Sequence, residues 1–282
     1  MIMNMETTEQ IVEIFLKYGI TSNKNLNEYE ILPLDGITNT SYIVKLNSKE
    51  FVLRLPGNNP DEINRYSEEQ NTLLALENGL TLPHIIFDVE SGIKISEYFD
   101  IYTYKEKDFE NDDLRKNAFE ILNKLHSSEI KFLDNFSPYR VFESLADVSN
   151  GIEENALNVG KEIIEKLNNI GLEQKPCHQD LYSGNFVIYE DKTYLIDWEY
   201  SSQGDPYFDL ADLFWQNEFE KKNGLKNLAL SELGMIDSDQ REKFILFEIL
   251  SMITWGFWAK RKSPESNRGE EALINALNLF EK

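Results

Sequence analysis

Apolar residues follow two different rhythms along this chain, and the change of rhythm divides it. Near the start, Ile11, Ile14, Phe15 and Tyr18 recur at helical spacing, with Thr7 or Thr8 as the cap and Gly19 as the stop. Three short alternating runs follow, YEILPLD, TSYIVKL and EFVLRLP, parted by GITN and by Asn47-Ser48-Lys49, which predicts an antiparallel meander. DEINRYSEEQNTLLALENG then reads as a helix closed by Gly79. HIIFDV and IKISEYF read as a further hairpin turning at Glu90-Ser91-Gly92. After Tyr98 helical periodicity takes over, in 111–127, 152–170, 207–222, 238–262 and 268–281. Strand-like FVIYE and TYLID, around Asp191-Lys192, interrupt it. The expected fold class is α+β and bilobal: a small antiparallel-sheet lobe with one internal helix over 1–97, and a larger helical lobe over 98–282. The boundary falls where IYTYKEKD turns polar and aperiodic.

Composition narrows the functional classes. A chain of 282 residues with 41% hydrophobic and 12% aromatic residues has ample material for folded cores. A formal charge of −22 repels nucleic acid and anionic lipid, so neither is an expected partner. The single cysteine, Cys177, excludes an internal disulfide framework, and no basic neighbour suggests an activated thiol. The opening segment lacks a basic region ahead of its apolar residues, and no apolar run is long enough to span a bilayer. A cytoplasmic location is the expectation.

The chemistry concentrates in CHQDLYSGNFVIYEDKTYLIDWEY, Cys177 to Tyr200. Asp180 and Asn185 stand in D-x-x-x-x-N spacing, with His178 two residues before the aspartate, as in a kinase catalytic loop. Phosphoryl transfer asks a protein mainly for positioning and charge neutralisation. One carboxylate must take the proton of the attacking hydroxyl, and a few hard oxygens must hold Mg²⁺ against the phosphates. Asp180 fits the base, Asn185 one metal ligand and Asp197 the other, the intervening hairpin returning Asp197 beside Asn185. Glu199 adds a second carboxylate nearby. Taken alone, D-x-x-x-x-N is also an ordinary loop spacing; the hairpin and the second aspartate after apolar Leu-Ile make the string more specific. A dinuclear metallohydrolase would need more histidines than His178, His84 and His126. His178 is read as a brace whose ring hydrogen-bonds the loop backbone, and Asp205 and Asp209 as a helix cap and a support for the same loop.

These strings, CHQDLYSGNF and LIDWEYSSQGDPYFDLADL, resemble the choline/ethanolamine kinase and aminoglycoside phosphotransferase superfamily, which shares the protein-kinase-like fold, and within it bacterial choline kinases of the LicA type. The resemblance covers roughly residues 30–260. It implies that LDGITNTSYIVKL is a hairpin covering the nucleotide, with Thr38, Asn39 and Ser41 as donors to phosphate. It implies that Arg54 in FVLRLPG stands where protein kinases use lysine, paired by Glu68, and that KISEYF, with Glu97 and Phe99, is the hinge beside adenine. Arg54, alternating with Val52, reads by itself as a solvent-facing strand residue, and Gly36 is the only glycine in its loop. The implied cofactors are ATP and Mg²⁺.

Trp255 and Trp258 lie three apart in ILSMITWGFWAKRK and share a helical face, like a Trp-x-x-Trp that helps to form the ammonium pocket of choline kinases. A quaternary ammonium donates no hydrogen bond, so aromatic faces suit it. Where the family often has an acid after this helix's FDLADLF, the chain has Trp215-Gln216; Trp215 would serve as another aromatic wall, and Glu199 would supply negative field. The expected activity is transfer of phosphate from ATP to the hydroxyl of choline. Ethanolamine, thiamine or an aminoglycoside is the alternative acceptor, and a non-catalytic nucleotide- or ligand-binding relative the alternative class. Self-association into a homodimer is left open.

Overall fold

The computed structural model describes residues 5–34, 39–57, 63–134, 151–222, 224–235 and 237–282. The chain divides into two units, Met1–Ile101 and Tyr102–Lys282.

The first unit is built on a five-stranded antiparallel sheet, order β1-β2-β3-β5-β4. Its strands are β1 (Tyr29–Leu34), β2 (Thr40–Leu46), β3 (Lys49–Leu55), β4 (Ile86–Asp88) and β5 (Ile93–Glu97). Asn47 and Ser48 join β2 to β3 with φ of 51° and 61°, the left-handed pair that matches the twist of a two-residue hairpin. Alternation gives the sheet two unlike faces. One carries Val44, Phe51, Leu53 and Ile95, all buried against Ile11 and Phe15 of α1 (Met5–Lys17). Phe15 meets Phe51 edge-on at 5.5 Å. The other face carries Arg54 and Lys94 and is met by α2 (Arg65–Glu77), whose buried residues are mostly polar. Asn64 caps α2 by accepting from the Ser67 amide, and Gly79, at φ 62°, ends it.

The second unit holds six described helices: α3 (Asp112–His126), α4 (Gly151–Ile170), α5 (Pro206–Gln216), α6 (Leu225–Glu232), α7 (Ser238–Lys262) and α8 (Arg268–Phe280). α7 packs on α4, α5 and α8. Gly256 and Gly269 let α7 and α8 approach: a methyl group on Gly269 would lie 2.6 Å from the Gly256 carbonyl oxygen. Two small sheets complete the unit. β6 (Tyr102–Thr103) pairs β8 (Phe186–Tyr189), which pairs β9 (Lys192–Leu195); β7 (Lys175–Cys177) pairs β10 (Ser202–Gly204). None of the described helices is long and apolar enough to cross a membrane.

Several element bounds differ from the sequence reading. α1 starts ahead of Thr7, so neither threonine caps it. The second unit begins at Tyr102, inside the aperiodic stretch, because Tyr102 and Thr103 pair with β8 and Tyr104 is buried against Phe109 and Phe186. The helix expected over 207–222 ends at Gln216. The Asn217 side chain turns back onto the carbonyls of Leu181 and Leu213, and Glu218 adopts φ 56°. α6, which follows Gly224, was not anticipated.

Candidate active site

In the first unit, residues opposite one another on neighbouring strands form a row across the sheet: Ser41 on β2, Arg54 on β3, Lys94 on β5 and Phe87 on β4. Arg54 and Lys94 each lie 5.4 Å from the centre of the Phe87 ring. Like charges directly opposite on a sheet repel, so the pair needs negative charge nearby. Glu68, fully buried on α2, supplies it. One carboxylate oxygen meets Arg54 Nη1 at 2.6 Å and the other meets Arg65 Nη1 at 2.5 Å. Arg65 also donates to Asn39 Oδ1 at 3.2 Å, tying the β1–β2 connection to the cluster. Burial by itself would raise the Glu68 carboxyl, but Arg54, Lys94 and Arg65 hold it below its ordinary value. His84 registers the surrounding positive field: burial, then Lys94 and Arg54, push it down to about 4. Glu97 ends β5 with an exposed side chain, and Phe99 follows partly buried. Thr38 and Gly36 lie outside the described residues.

In the second unit, the loop from Cys177 to Asn185 is held through its backbone by one face of α5. Asp209 accepts the amides of His178 (2.9 Å) and Gln179 (2.8 Å) and lies 2.8 Å from His126 Nε2. Asp212 accepts the Leu181 amide at 2.7 Å. Asn217 accepts the Ser183 amide at 2.7 Å and donates to the Leu181 carbonyl at 3.0 Å. Asp209 and Asp212, three apart, share one helical stripe, and Asn217 follows as the helix's C-terminal cap. Asp205 caps α5 through the Tyr207 amide, accepts the Glu173 amide and pairs with Lys243 at 2.7 Å. From below, the fully buried His178 ring packs on Trp198, 4.8 Å between centres, and its Nε2 lies 3.0 Å from the Ile196 carbonyl oxygen. Cys177 is buried, and burial pushes its thiol well up.

This scaffold sets Asp180, expected from the sequence as the base, and Asn185 and Asp197, expected as metal ligands. Asn185 Nδ2 donates to the Asp180 carbonyl at 2.8 Å and to Asp180 Oδ2 at 3.2 Å. With its amide nitrogen turned to Asp180, the Asn185 oxygen is the atom left for a cation. The Ile196 amide donates to the Asn185 carbonyl at 3.0 Å, so the β8–β9 hairpin delivers Asp197 next to Asn185. Asp197 and Gln179 both take left-handed backbone, φ 64° and 72°, an unfavourable conformation for such side chains that persists where neighbours fix it. Asp180 is raised well above the ordinary carboxylate value by burial and then by Asp212, Asp197 and Glu199. That concentration of negative charge, presented on hard oxygens, fits a divalent cation such as Mg²⁺.

The two tryptophans meet edge-on, 5.7 Å between centres, and Tyr200 completes a trio. Its ring is 5.2 Å from Trp255, and its hydroxyl oxygen accepts from Trp258 Nε1 at 3.0 Å. Burial, then Glu199 and Asp180, raise the Tyr200 hydroxyl, which places the trio within the field of the acidic centre. Trp215 instead donates its indole N–H to Ser251 at 2.7 Å, and Gln216 directs its amide nitrogen to Asp212 (3.0 Å) and Asp180 (3.4 Å).

A loop of this construction on this fold can be compared with known proteins. The sequence pattern of the phosphotransferase enzyme family (APH) matches residues 30–227. The chain belongs to this family. Protein LicA of Haemophilus influenzae is 28% identical over 258 residues, 85% of this chain and 76% of that protein. The crystal structure of choline kinase LicA from Streptococcus pneumoniae matches with a TM-score of 0.81 at 28% identity, covering 96% of this chain and 100% of that one. A crystal structure of LicA in complex with AMP matches at 0.80, also 28% identical, over 96% and 97%. The α+β fold class and the family resemblance read from the sequence are thus both found. As a member of the phosphotransferase family, the protein is a kinase-type transferase whose acceptor is an alcohol. Sequence reasoning did not single out Arg65, Lys94, Tyr200, Asp212, Asn217 or Ser251. For Asp212 and Asn217 a signal was present: polar residues at spacings of three to five along an otherwise apolar helix.

Proposed function

We propose that this phosphotransferase moves the γ-phosphoryl group of ATP to the hydroxyl of choline, with Mg²⁺ as cofactor. The observation that carries the acceptor is the Tyr200–Trp255–Trp258 trio in the field of Glu199 and Asp180. Ring faces attract a quaternary ammonium that can donate no hydrogen bond, by roughly 0.5–2 kcal/mol per contact. The solved choline kinase relative and the AMP complex support acceptor and nucleotide respectively. Asp180 accepts a hydrogen bond from the choline hydroxyl, orients its oxygen and takes its proton as the bond to the γ-phosphorus forms and that from the γ-phosphorus to the β–γ bridging oxygen breaks, with ADP as the leaving group. Asn185 keeps the Asp180 carboxylate in place. The Asn185 amide oxygen and the Asp197 carboxylate would hold Mg²⁺, with Glu199 as further negative charge. When bound, that ion neutralises charge on the phosphate oxygens. Arg54, fixed by Glu68, offers its guanidinium to the phosphates of the nucleotide, with Ser41 and Asn39 near it in sequence or register and Thr38 beside Asn39. Glu97 and Phe99 take the adenine-side role.

An ATP-consumption assay over choline, ethanolamine, thiamine and kanamycin tests the reading. Choline is expected to give the highest kcat/KM, and Asp180→Asn to lower kcat by about a thousandfold or more. Preference for another acceptor overturns the substrate. Turnover of none of them, with nucleotide bound, makes the protein a binding relative without catalysis.

A further inference from the structure

Two side chains that the reaction does not need for contact are joined to the base by a buried chain of hydrogen bonds. The Trp215 indole N–H can only donate, and it points at Ser251 Oγ at 2.7 Å. The single Ser251 proton is therefore directed elsewhere, to Asp212 Oδ1 at 2.7 Å. Asp212 also accepts the Leu181 amide at 2.7 Å, one residue beyond Asp180, and the Gln216 amide at 3.1 and 3.0 Å. The same Gln216 nitrogen reaches Asp180 Oδ1 at 3.4 Å, while Asn185 holds Oδ2. Ser251 and Asp212 are both fully buried. Ser251 lies on α7 one turn before Trp255 and two before Trp258.

We propose that Ser251 is a positioning residue for Asp180, acting through Asp212 and Gln216, so that the helix carrying the acceptor-binding tryptophans also sets the orientation of the base. This rests on the reading of Asp180 as base. Asp212 is the junction: it fixes the backbone beside Asp180 through Leu181 and the Asp180 carboxylate through Gln216. Without the Ser251 proton, Asp212 loses the donor that sets it against α7, and both links to Asp180 loosen together. A Gln at position 216 is what the junction requires, because its amide nitrogen separates two carboxylates as a shared donor. An acid there would face Asp212 with like charge.

Steady-state kinetics of Ser251→Ala, Ser251→Thr and Gln216→Met, each with a melting temperature, test the proposal. Ser251→Ala is expected to lower kcat on the order of tenfold, as small displacements of a reacting group do, with KM for choline and for ATP within about twofold of the unmodified protein. Ser251→Thr keeps the hydroxyl and is expected to restore kcat to within about threefold. Gln216→Met keeps length without the donor, so if Ser251→Ala does not fold, this variant carries the test with the same expected loss. A kcat for Ser251→Ala or Gln216→Met within about twofold of the unmodified protein overturns the proposal. So does a loss that appears in the choline KM alone, which would make Ser251 a packing residue of α7, or a Ser251→Thr as impaired as the alanine. Asp180→Asn is run alongside. If it still turns over, the base reading itself falls; if it is dead while Ser251→Ala and Gln216→Met are normal, only the positioning role falls.

Discussion

Replacing Glu68 by Gln removes a carboxylate that two buried guanidinium groups share. The side chain of Glu68 is fully buried, and those of Arg54 and Arg65 are only 11% and 9% exposed. Solvent therefore screens little of the change. Removing one partner of a buried ion pair costs about 3–5 kcal/mol, because the remaining charge stays desolvated. Glutamine still offers one oxygen to one guanidinium, so the low end, about 3 kcal/mol, is the expected loss. At about 1.4 kcal/mol per tenfold, amides of α2 and β3 should exchange with solvent roughly a hundredfold faster. Hydrogen exchange read by mass spectrometry checks this, with peptides from the β8–β9 hairpin as the reference in the second unit. The pH dependence has a definite sign. The folded Glu68 carboxyl lies below its ordinary value, so its contribution is present above about pH 4 and is lost as pH falls further through the folded value. The gap between the two proteins should therefore be full at pH 7 and close in acid. Protection of α2 and β3 that changes less than about threefold at pH 7 would refute the idea that Glu68 balances this cluster.

Three further outcomes follow from the second unit. Asp209→Ala leaves the buried His178 and Gln179 amides without their acceptor, a loss of about 2–6 kcal/mol at 1–3 for each. All four tryptophans lie in that unit, so a urea midpoint followed by their fluorescence reports it, and an unchanged midpoint would contradict the bracing role. Trp258→Ala removes a ring face and the donor to Tyr200, and should raise the choline KM by about 3- to 30-fold with the ATP KM unaltered; an unaltered choline KM would remove the aromatic pocket. Cys177, buried and with its thiol pushed up, should resist a thiol reagent at pH 7 in the native protein and react only in denaturant; rapid native labelling would show the loop to be open.

The parts of the fold that a sequence displays are those whose residues contact side chains on one regular pattern. The β8–β9 hairpin and the meander of the first unit alternate plainly, so their strands and turns were legible. α2 is different. Its buried stripe is Arg65, Glu68, Asn71, Thr72 and Ala75, and a hydrophobic period is silent where the buried face is polar; only the resemblance pointed to Glu68. Asp212 and Asn217 bind main-chain groups of a loop some thirty residues earlier, and backbone amides leave no mark in a sequence. Tyr200 is adjacent to Glu199, yet what gives it meaning is a ring 55 positions later on another element. The apolar pattern of α5 runs on to Phe219, and a polar side chain, Asn217, ends the helix by turning back onto the loop.

The formal charge of −22 conceals two local fields of opposite sign, and each can be seen in the groups it perturbs. In the first unit Arg54, Arg65 and Lys94 outnumber the Glu68 carboxylate among them, and His84 is driven toward its neutral form. In the second unit Asp212, Asp197 and Glu199 add to burial in raising the proton affinity of Asp180, and Tyr200 is raised beside them. Like charges gathered this closely repel one another. On the proposed function each field meets a ligand of the opposite sign: phosphate at the first, a metal ion and a cationic alcohol at the second. The aromatic trio adds what charge alone cannot, since a field attracts any cation, whereas ring faces reward one whose surface is methyl groups.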